Sequence, residues 1–187
     1  LQREPSTDVL LLAARTYMAT NDVDATERVL RRAIDADPSV LPPYAMLGQI
    51  YMRQRKLDEA RAEFDALAAK QSNPVSALTM SGIIAQAQGH IDIARQKFQR
   101  AVDLDPRAAI AANNLAWIHA ESGDNLDAAL QLAQSAVSAA PDVPEMMDTL
   151  GWVYYKKNLP QLAIPQFQRS AEKEPSNATS LHHLGLA

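Results

Sequence analysis

The sequence contains no cysteine, so it can form neither a disulfide framework nor a thiolate metal site. Its longest strongly apolar run, from Val9 to Ala14, is far too short to span a bilayer. Only six glycines occur, and they are scattered rather than gathered in a loop that could cradle a phosphate. The 18 Lys and Arg and 22 Asp and Glu include no basic block that would neutralise a nucleic-acid backbone. We therefore expect no membrane insertion of this fragment and no nucleic-acid partner.

Side chains that could support catalysis or hold a metal ion are few. His182 and His183 are adjacent, so on a helix they point about 100° apart instead of sharing one face. His90 lies in a predicted turn, and His119 is expected to be a half-buried packing residue. Most carboxylates fall at helix ends and on outer helix faces, where solvation explains them. Because catalysis needs converging groups, the sequence predicts no catalytic residue, no metal site and no cofactor, and hence a protein that is not an enzyme.

What the chain does contain is a repeated pattern. One column of equivalent positions, with spacings of 34, 34, 34 and 35 residues, consists of Tyr17, Tyr51, Ala85, His119 and Tyr154. A second column consists of Leu30, Phe64, Phe98, Ala133 and Phe167. A proline-bearing turn closes each unit, at Pro38, Pro74, Pro106, Pro141 and Pro175. Five registered copies make a chance pattern a poor explanation.

The pattern resembles the tetratricopeptide repeat, whose units follow the order Leu-Gly, Tyr, Ala, Phe, Pro. The resemblance covers essentially the whole chain and implies an all-α fold, a right-handed α-solenoid of antiparallel helix hairpins. The repeats are expected at about 7–40, 41–74, 75–108, 109–143 and 144–177, with 178–187 as the first helix of a sixth, cut repeat. Residues 1–5 look like the tail of a preceding repeat, so we expect a piece of a longer protein. The acidic charge balance argues against the related pentatricopeptide arrays, which read RNA.

Local signals predict the turns and the closest helix contacts. An Asp after an apolar residue, as in Val23-Asp24 and Leu126-Asp127, is expected to cap the second helix of the first four repeats, whereas Pro160-Gln161 replaces this cap in the fifth. Positive φ is expected in the turns at Asn21, Gly89, Gly123 and Asn158. Close helix crossings are expected where Gly48, Gly82, Gly151, Ala14 and Ala116 face the second-helix alanines Ala60, Ala94, Ala129 and Ala163.

The resemblance also implies a binding surface, because one stripe of each first helix lines the concave groove in this family. The predicted groove residues are Leu11, Arg15, Met18, Gln49, Met52, Ile83, Asn113, Trp117, Asp148, Trp152 and Tyr155. Both tryptophans of the chain belong to this stripe rather than to the core column where the family usually has one. Each indole either packs against the next repeat or forms part of an aromatic floor for a partner segment. The family's Lys and Asn clamp for terminal carboxylates is not carried over, because these positions lack it.

The functional prediction is a non-enzymatic scaffold that binds a protein or peptide partner in its groove. The alternative is a regulatory or targeting arm of a larger enzyme or export machine whose active domain lies outside this fragment. A third possibility is self-association through the cut C-terminal helix. Repeats four and five, with Asn113 to Trp117 and Asp148 to Tyr155, resemble bacterial envelope and exopolysaccharide-export repeat proteins. That resemblance implies a bacterial periplasm or envelope location, with the cytoplasm as the alternative.

Overall fold

The computed structural model describes residues 5–187, so the interpretation of residues 1–4 as a repeat tail lies outside the described residues. The described residues form eleven α-helices and no β-strand, which confirms the all-α prediction. The helices are α1 (Thr7–Ala19), α2 (Val23–Ala36), α3 (Leu41–Gln54), α4 (Leu57–Lys70), α5 (Val75–Ala87), α6 (Ile91–Leu104), α7 (Ala109–Ser122), α8 (Leu126–Ala139), α9 (Pro144–Lys156), α10 (Pro160–Lys173) and α11 (Ala178–Leu186).

The chain divides into two compact units, Leu1–Lys97 and Phe98–Ala187, and the division falls within α6. In the first unit α1 packs against α2, α2 against α3, α3 against α4 and α5, and α4 against α5. In the second unit α7 packs against α8 and α9, and α10 packs against α9 and α11. Each of these helices therefore contacts a sequence neighbour or the equivalent helix one repeat away, as expected of a helical repeat protein.

Large second-helix side chains fill the space that small first-helix residues leave. Phe64, Phe98 and Phe167 are completely buried. A methyl group added to Gly151 would lie 2.7 Å from the Phe167 ring, which leaves no room for a side chain. At Gly48 it would lie 2.5 Å from the terminal methyl group of Met80. The atoms nearest to these two glycines therefore belong to a methionine and to an aromatic ring, not to the alanines that the sequence suggested.

The turns between paired helices follow the sequence prediction with one addition. Asn21, Asn158, Gly89 and Gly123 have φ values of 58°, 61°, 77° and 69°, respectively. Arg55, at the equivalent position of the second repeat, has a φ of 59°. A residue with a Cβ atom is strained in this left-handed region. Arg55, in the turn after α3, therefore adopts a backbone conformation that arginine disfavours.

In α2 and α8 the side-chain cap lies two residues earlier than predicted. The Asp22 carboxylate accepts a hydrogen bond from the Ala25 N–H at 3.0 Å. The Asn125 side chain accepts one from the Ala128 N–H at 3.1 Å. Asp24 and Asp127 lie inside the first turn of their helices, where a carboxylate favours the positive end of the helix dipole without capping it.

Candidate functional site

The predicted groove residues all lie on first helices, but their exposure to solvent differs. Leu11 and Asp148 are buried, which removes them from any surface that a partner could touch directly. Arg15, Gln49 and Met52 are exposed, and Met18, Ile83, Asn113, Trp117, Trp152 and Tyr155 are half-buried. Whether these residues bind a partner stays a prediction.

In the first unit the predicted residues do not form a cluster of interacting side chains. Arg15 makes no hydrogen bond or ion pair with the described residues. Met18 lines a cavity of about 150 Å³ together with Asn21, Ile50 and Arg53. The predicted residues of this unit therefore lie as separate side chains, and Met18 borders a small recess.

In the second unit the predicted residues come together. Trp117 on α7 stacks on Trp152 of α9, with ring centroids 5.7 Å apart and planes 23° apart. Trp152 also stacks on Tyr155, at 5.3 Å and 22°. His183 of α11 stacks on Trp152 at 4.4 Å. These four residues, Trp117, Trp152, Tyr155 and His183, are called the aromatic cluster below.

Two polar side chains orient Trp152 within the cluster. Its indole N–H donates a hydrogen bond to Oε1 of Glu121, at 2.8 Å. Lys156 Nζ lies 3.2 Å from the same oxygen and 5.0 Å from the centroid of the indole ring. Partial burial acts to raise the pKa of the Glu121 carboxyl, but the hydrogen bonds from Trp152 and Lys156 outweigh it and lower that pKa. The carboxylate is therefore charged at neutral pH.

A buried polar pair fixes His183 beside the cluster. His183 Nδ1 lies 2.9 Å from Oδ2 of Asp148, and the exposed fractions of the two residues are only 6% and 7%. The other oxygen of Asp148, Oδ1, is buried and has no hydrogen-bond partner among the described residues. Burial raises the pKa of the Asp148 carboxyl, and the neighbouring His183 acts in the opposite direction. Asp148, predicted as a groove residue, is buried and contacts His183 of α11.

Sequence reasoning missed the roles of His183, Glu121 and Lys156. His183 lies one position beyond the predicted stripe, and the 35-residue spacing from Asp148 is the signal that could have shown that they meet. Glu121 and Lys156 are 35 residues apart in the same way. Equivalent faces of successive first helices lie next to each other in a repeat protein, so residues about one period apart are candidates for contact.

The structure is compatible with both interpretations of the tryptophans, as residues that pack between repeats and as aromatic surface open to a partner. Each indole packs against the next first helix, Trp117 against Trp152 and Trp152 against His183. Both nevertheless remain half-buried rather than fully enclosed. The rings therefore contribute to packing between repeats and also present aromatic surface to solvent.

The described part of the chain offers little else as a functional site. No group of His, Asp and Glu side chains within it could hold a metal ion. Among its helices, none combines the length and the apolar character needed to cross a membrane. The suggested self-association through α11 stays a prediction, although Leu181 and Leu186 on that helix are 48% and 44% exposed.

Paired helices that recur at equal spacing and bury the same columns of residues define an α-helical repeat protein. A family model described as tetratricopeptide repeat matches residues 11–74 and 79–144, which together make up more than half of the chain. The chain belongs to the tetratricopeptide repeat family.

Solved structures of the same fold align with nearly the whole chain. YrrB, described as a TPR protein with an unusual peptide-binding site, is 22% identical, with a TM-score of 0.61 over 92% of this chain and 89% of its own. TTC0263 from Thermus thermophilus is 16% identical, with a TM-score of 0.65 over 97% and 98%. PilW, a type IV pilus biogenesis factor, is 19% identical, with a TM-score of 0.64 over 95% and 82%. The comparison with curated proteins gave no match.

Proposed function

We propose that this protein is a non-enzymatic scaffold that binds a segment of a partner protein at the aromatic cluster. Its family and its structural neighbours are protein-interaction scaffolds in general. The observation that supports the specific site is the stack of Trp117, Trp152 and Tyr155, which leaves three large rings half-exposed on one face.

Half-exposed aromatic rings are a favourable binding surface for physical reasons. They lose little conformational entropy when a partner covers them, because their neighbours already restrict their rotamers. Tryptophan and tyrosine are also the residues most enriched among interface positions that dominate affinity. An extended or helical segment with apolar side chains would bury the remaining surface of the rings.

One structural neighbour supports a peptide as the kind of partner. YrrB is described as having an unusual peptide-binding site, and the fold that it shares with this chain spans 92% of the residues. From this similarity we propose only the class of ligand for this chain, which is a peptide segment. The same surface would serve if the chain is an arm of a larger enzyme or export machine, and the sequence of the full-length gene product would decide between the two.

The proposal is tested by selecting displayed random peptides on the immobilised protein and measuring the affinity of the enriched sequences. Trp152→Ala and Tyr155→Ala should each weaken binding by about 1–3 kcal/mol, the range of interface hot spots. Tyr17→Ala is the matched control, because Tyr17 is 39% exposed on α1, outside the cluster. A library that yields no enriched peptide, or peptides that bind all three variants like the unaltered protein, would contradict the proposal.

A further inference from the structure

The aromatic cluster already holds a cation that belongs to the chain itself. Lys156 Nζ lies 5.0 Å from the centroid of the Trp152 ring, within the range of a cation–π contact. The same ammonium group lies 3.2 Å from Oε1 of Glu121. Trp152 donates its indole N–H to that oxygen, so the ring and the carboxylate fix each other's position. An aromatic ring and a fixed carboxylate together form a receptor for a cationic side chain.

The charges around this receptor favour a cation. Two carboxyl groups lie at the cluster: Glu121, which accepts the indole N–H of Trp152, and Asp148, which contacts His183. The groups of opposite sign are Lys156 and, when protonated, His183. A partner that presents an acidic side chain would meet repulsion at this site, whereas an arginine or lysine would be attracted.

Lys156 can leave its position at little cost. Its side chain is 32% exposed and that of Glu121 is 47% exposed, so water competes for both groups. Ion pairs with this exposure contribute little to the stability of a folded protein. A flexible lysine also regains rotamer freedom when it is released. The receptor is therefore occupied in the free protein but open to exchange.

We propose that the partner segment places an arginine or lysine side chain against Trp152 and Glu121, and that Lys156 occupies this position until the partner displaces it. The inference rests on the proposed function and specifies the chemistry of the partner: a cationic residue flanked by apolar residues that cover Trp117 and Tyr155. Arginine fits better than lysine, because its planar guanidinium can stack on the indole while donating hydrogen bonds to the carboxylate.

Two matched peptides test the charge requirement. One is the acetylated and amidated peptide Leu-Ala-Arg-Leu-Ala, and the other carries citrulline, a neutral isostere, in place of arginine. Binding is followed by NMR on the indole N–H signals of the two tryptophans, which Trp117→Phe assigns. The arginine peptide should shift the Trp152 indole signal and bind about 3- to 10-fold more tightly than the citrulline peptide.

Substitutions in the protein then test the role of Lys156. Lys156→Met removes the resident cation and should raise the affinity for the arginine peptide several-fold, without raising that for the citrulline peptide. Lys157→Met is the matched control, because Lys157 donates its hydrogen bond to Asp127 instead of Glu121. This variant should leave both peptide affinities unchanged. Glu121→Gln keeps an acceptor for the indole N–H and should abolish the preference for arginine.

The possible failures of this experiment are distinguishable. Equal affinity for the two peptides, or a loss of arginine-peptide affinity in Lys156→Met, overturns the inference and leaves the proposed function standing. If neither these peptides nor any displayed peptide shifts an indole signal, both proposals fail. Indole shifts that depend on protein concentration in the absence of peptide would make a second copy of the chain the occupant, which also overturns the inference.

Discussion

The two units of the chain join neighbouring repeats by different chemistry on different helices. In the first unit, charged side chains connect successive second helices: Arg31 of α2 pairs with Glu63 of α4, and Asp65 of α4 pairs with Lys97 at 2.7 Å. In the second unit, aromatic rings connect successive first helices, from Trp117 through Trp152 to His183. In the second unit, the repeat positions equivalent to these charged residues are occupied by uncharged residues, among them Gln99, Leu132 and Gln134.

This difference indicates where each unit can offer a binding surface. Ion pairs between second helices leave the first-helix face of the first unit with separate polar side chains such as Arg15 and Gln49. Stacking between first helices places aromatic area on the corresponding face of the second unit. Two parts of a repeat protein can therefore have the same helices but differ in the side chains that join the repeats. These side chains determine which helix face exposes a surface suited to binding.

The largest expected effect concerns the close helix crossings, which the two units tolerate differently. Gly151→Leu should lower the free energy of unfolding by about 3 kcal/mol or more, because its side chain would overlap the buried Phe167 ring. Gly48→Ala in the first unit should cost about 1 kcal/mol or less, because the end of the flexible Met80 side chain can move. Urea unfolding followed by circular dichroism measures both. Equal losses in the two variants would show that the second crossing is no tighter than the first.

The next effect separates aromatic from ionic contacts by their response to salt. Trp152→Ala should cost about 2–3 kcal/mol, since a half-buried indole with five stacking or polar neighbours is lost, and the cost should not change with salt. Glu63→Gln should cost about 1 kcal/mol at low salt and less in about 1 M NaCl, because partly exposed ion pairs are screened. Thermal unfolding at the two salt concentrations provides the comparison. A cost of Trp152→Ala that falls with salt would assign its contribution to Glu121 and Lys156 instead of to stacking.

The helices could be predicted from the sequence because their signals are local and occur five times over. The contacts between repeats could not, because they depend on which rotamers long side chains adopt across a helix interface. Trp117 and Trp152 lie on first helices, where the repeat pattern places them, but the position of His183 against Trp152 depends on how α11 packs. The caps at Asp22 and Asn125 were missed because Asp24 and Asp127 are equally plausible acids near a helix start.

Alkaline pH should weaken the first unit through Tyr51. Burial and the Glu63 carboxylate raise the pKa of the Tyr51 hydroxyl to about 12, although Arg31 acts to lower it. The protonated hydroxyl is favoured in the folded state, so its contribution is complete below about pH 10 and is lost as the pH rises toward about 12. Because solvent screens part of this interaction, the loss should be only about 1–2 kcal/mol, and Tyr51→Phe should remove this part of the pH dependence. A variant with the same alkaline profile as the unaltered protein would show that other groups cause the decline.

The smallest expected effect concerns the turns between paired helices, where different repeats have different residues in the same left-handed backbone conformation. Arg55 in the first unit has a φ of 59°, and Gly123 in the second has 69°. Because a left-handed residue with a Cβ atom costs about 1 kcal/mol, Arg55→Gly should stabilise the protein by about 0.5–1 kcal/mol after the added freedom of the unfolded chain is subtracted. Gly123→Ala should destabilise it by about 1 kcal/mol through strain alone, since nothing lies within 4 Å of an added methyl group. Both changes in stability are measured as shifts of the denaturant midpoint relative to the unaltered protein. If Arg55→Gly lowers the midpoint, Arg55 must contribute a side-chain contact that outweighs the strain of its backbone.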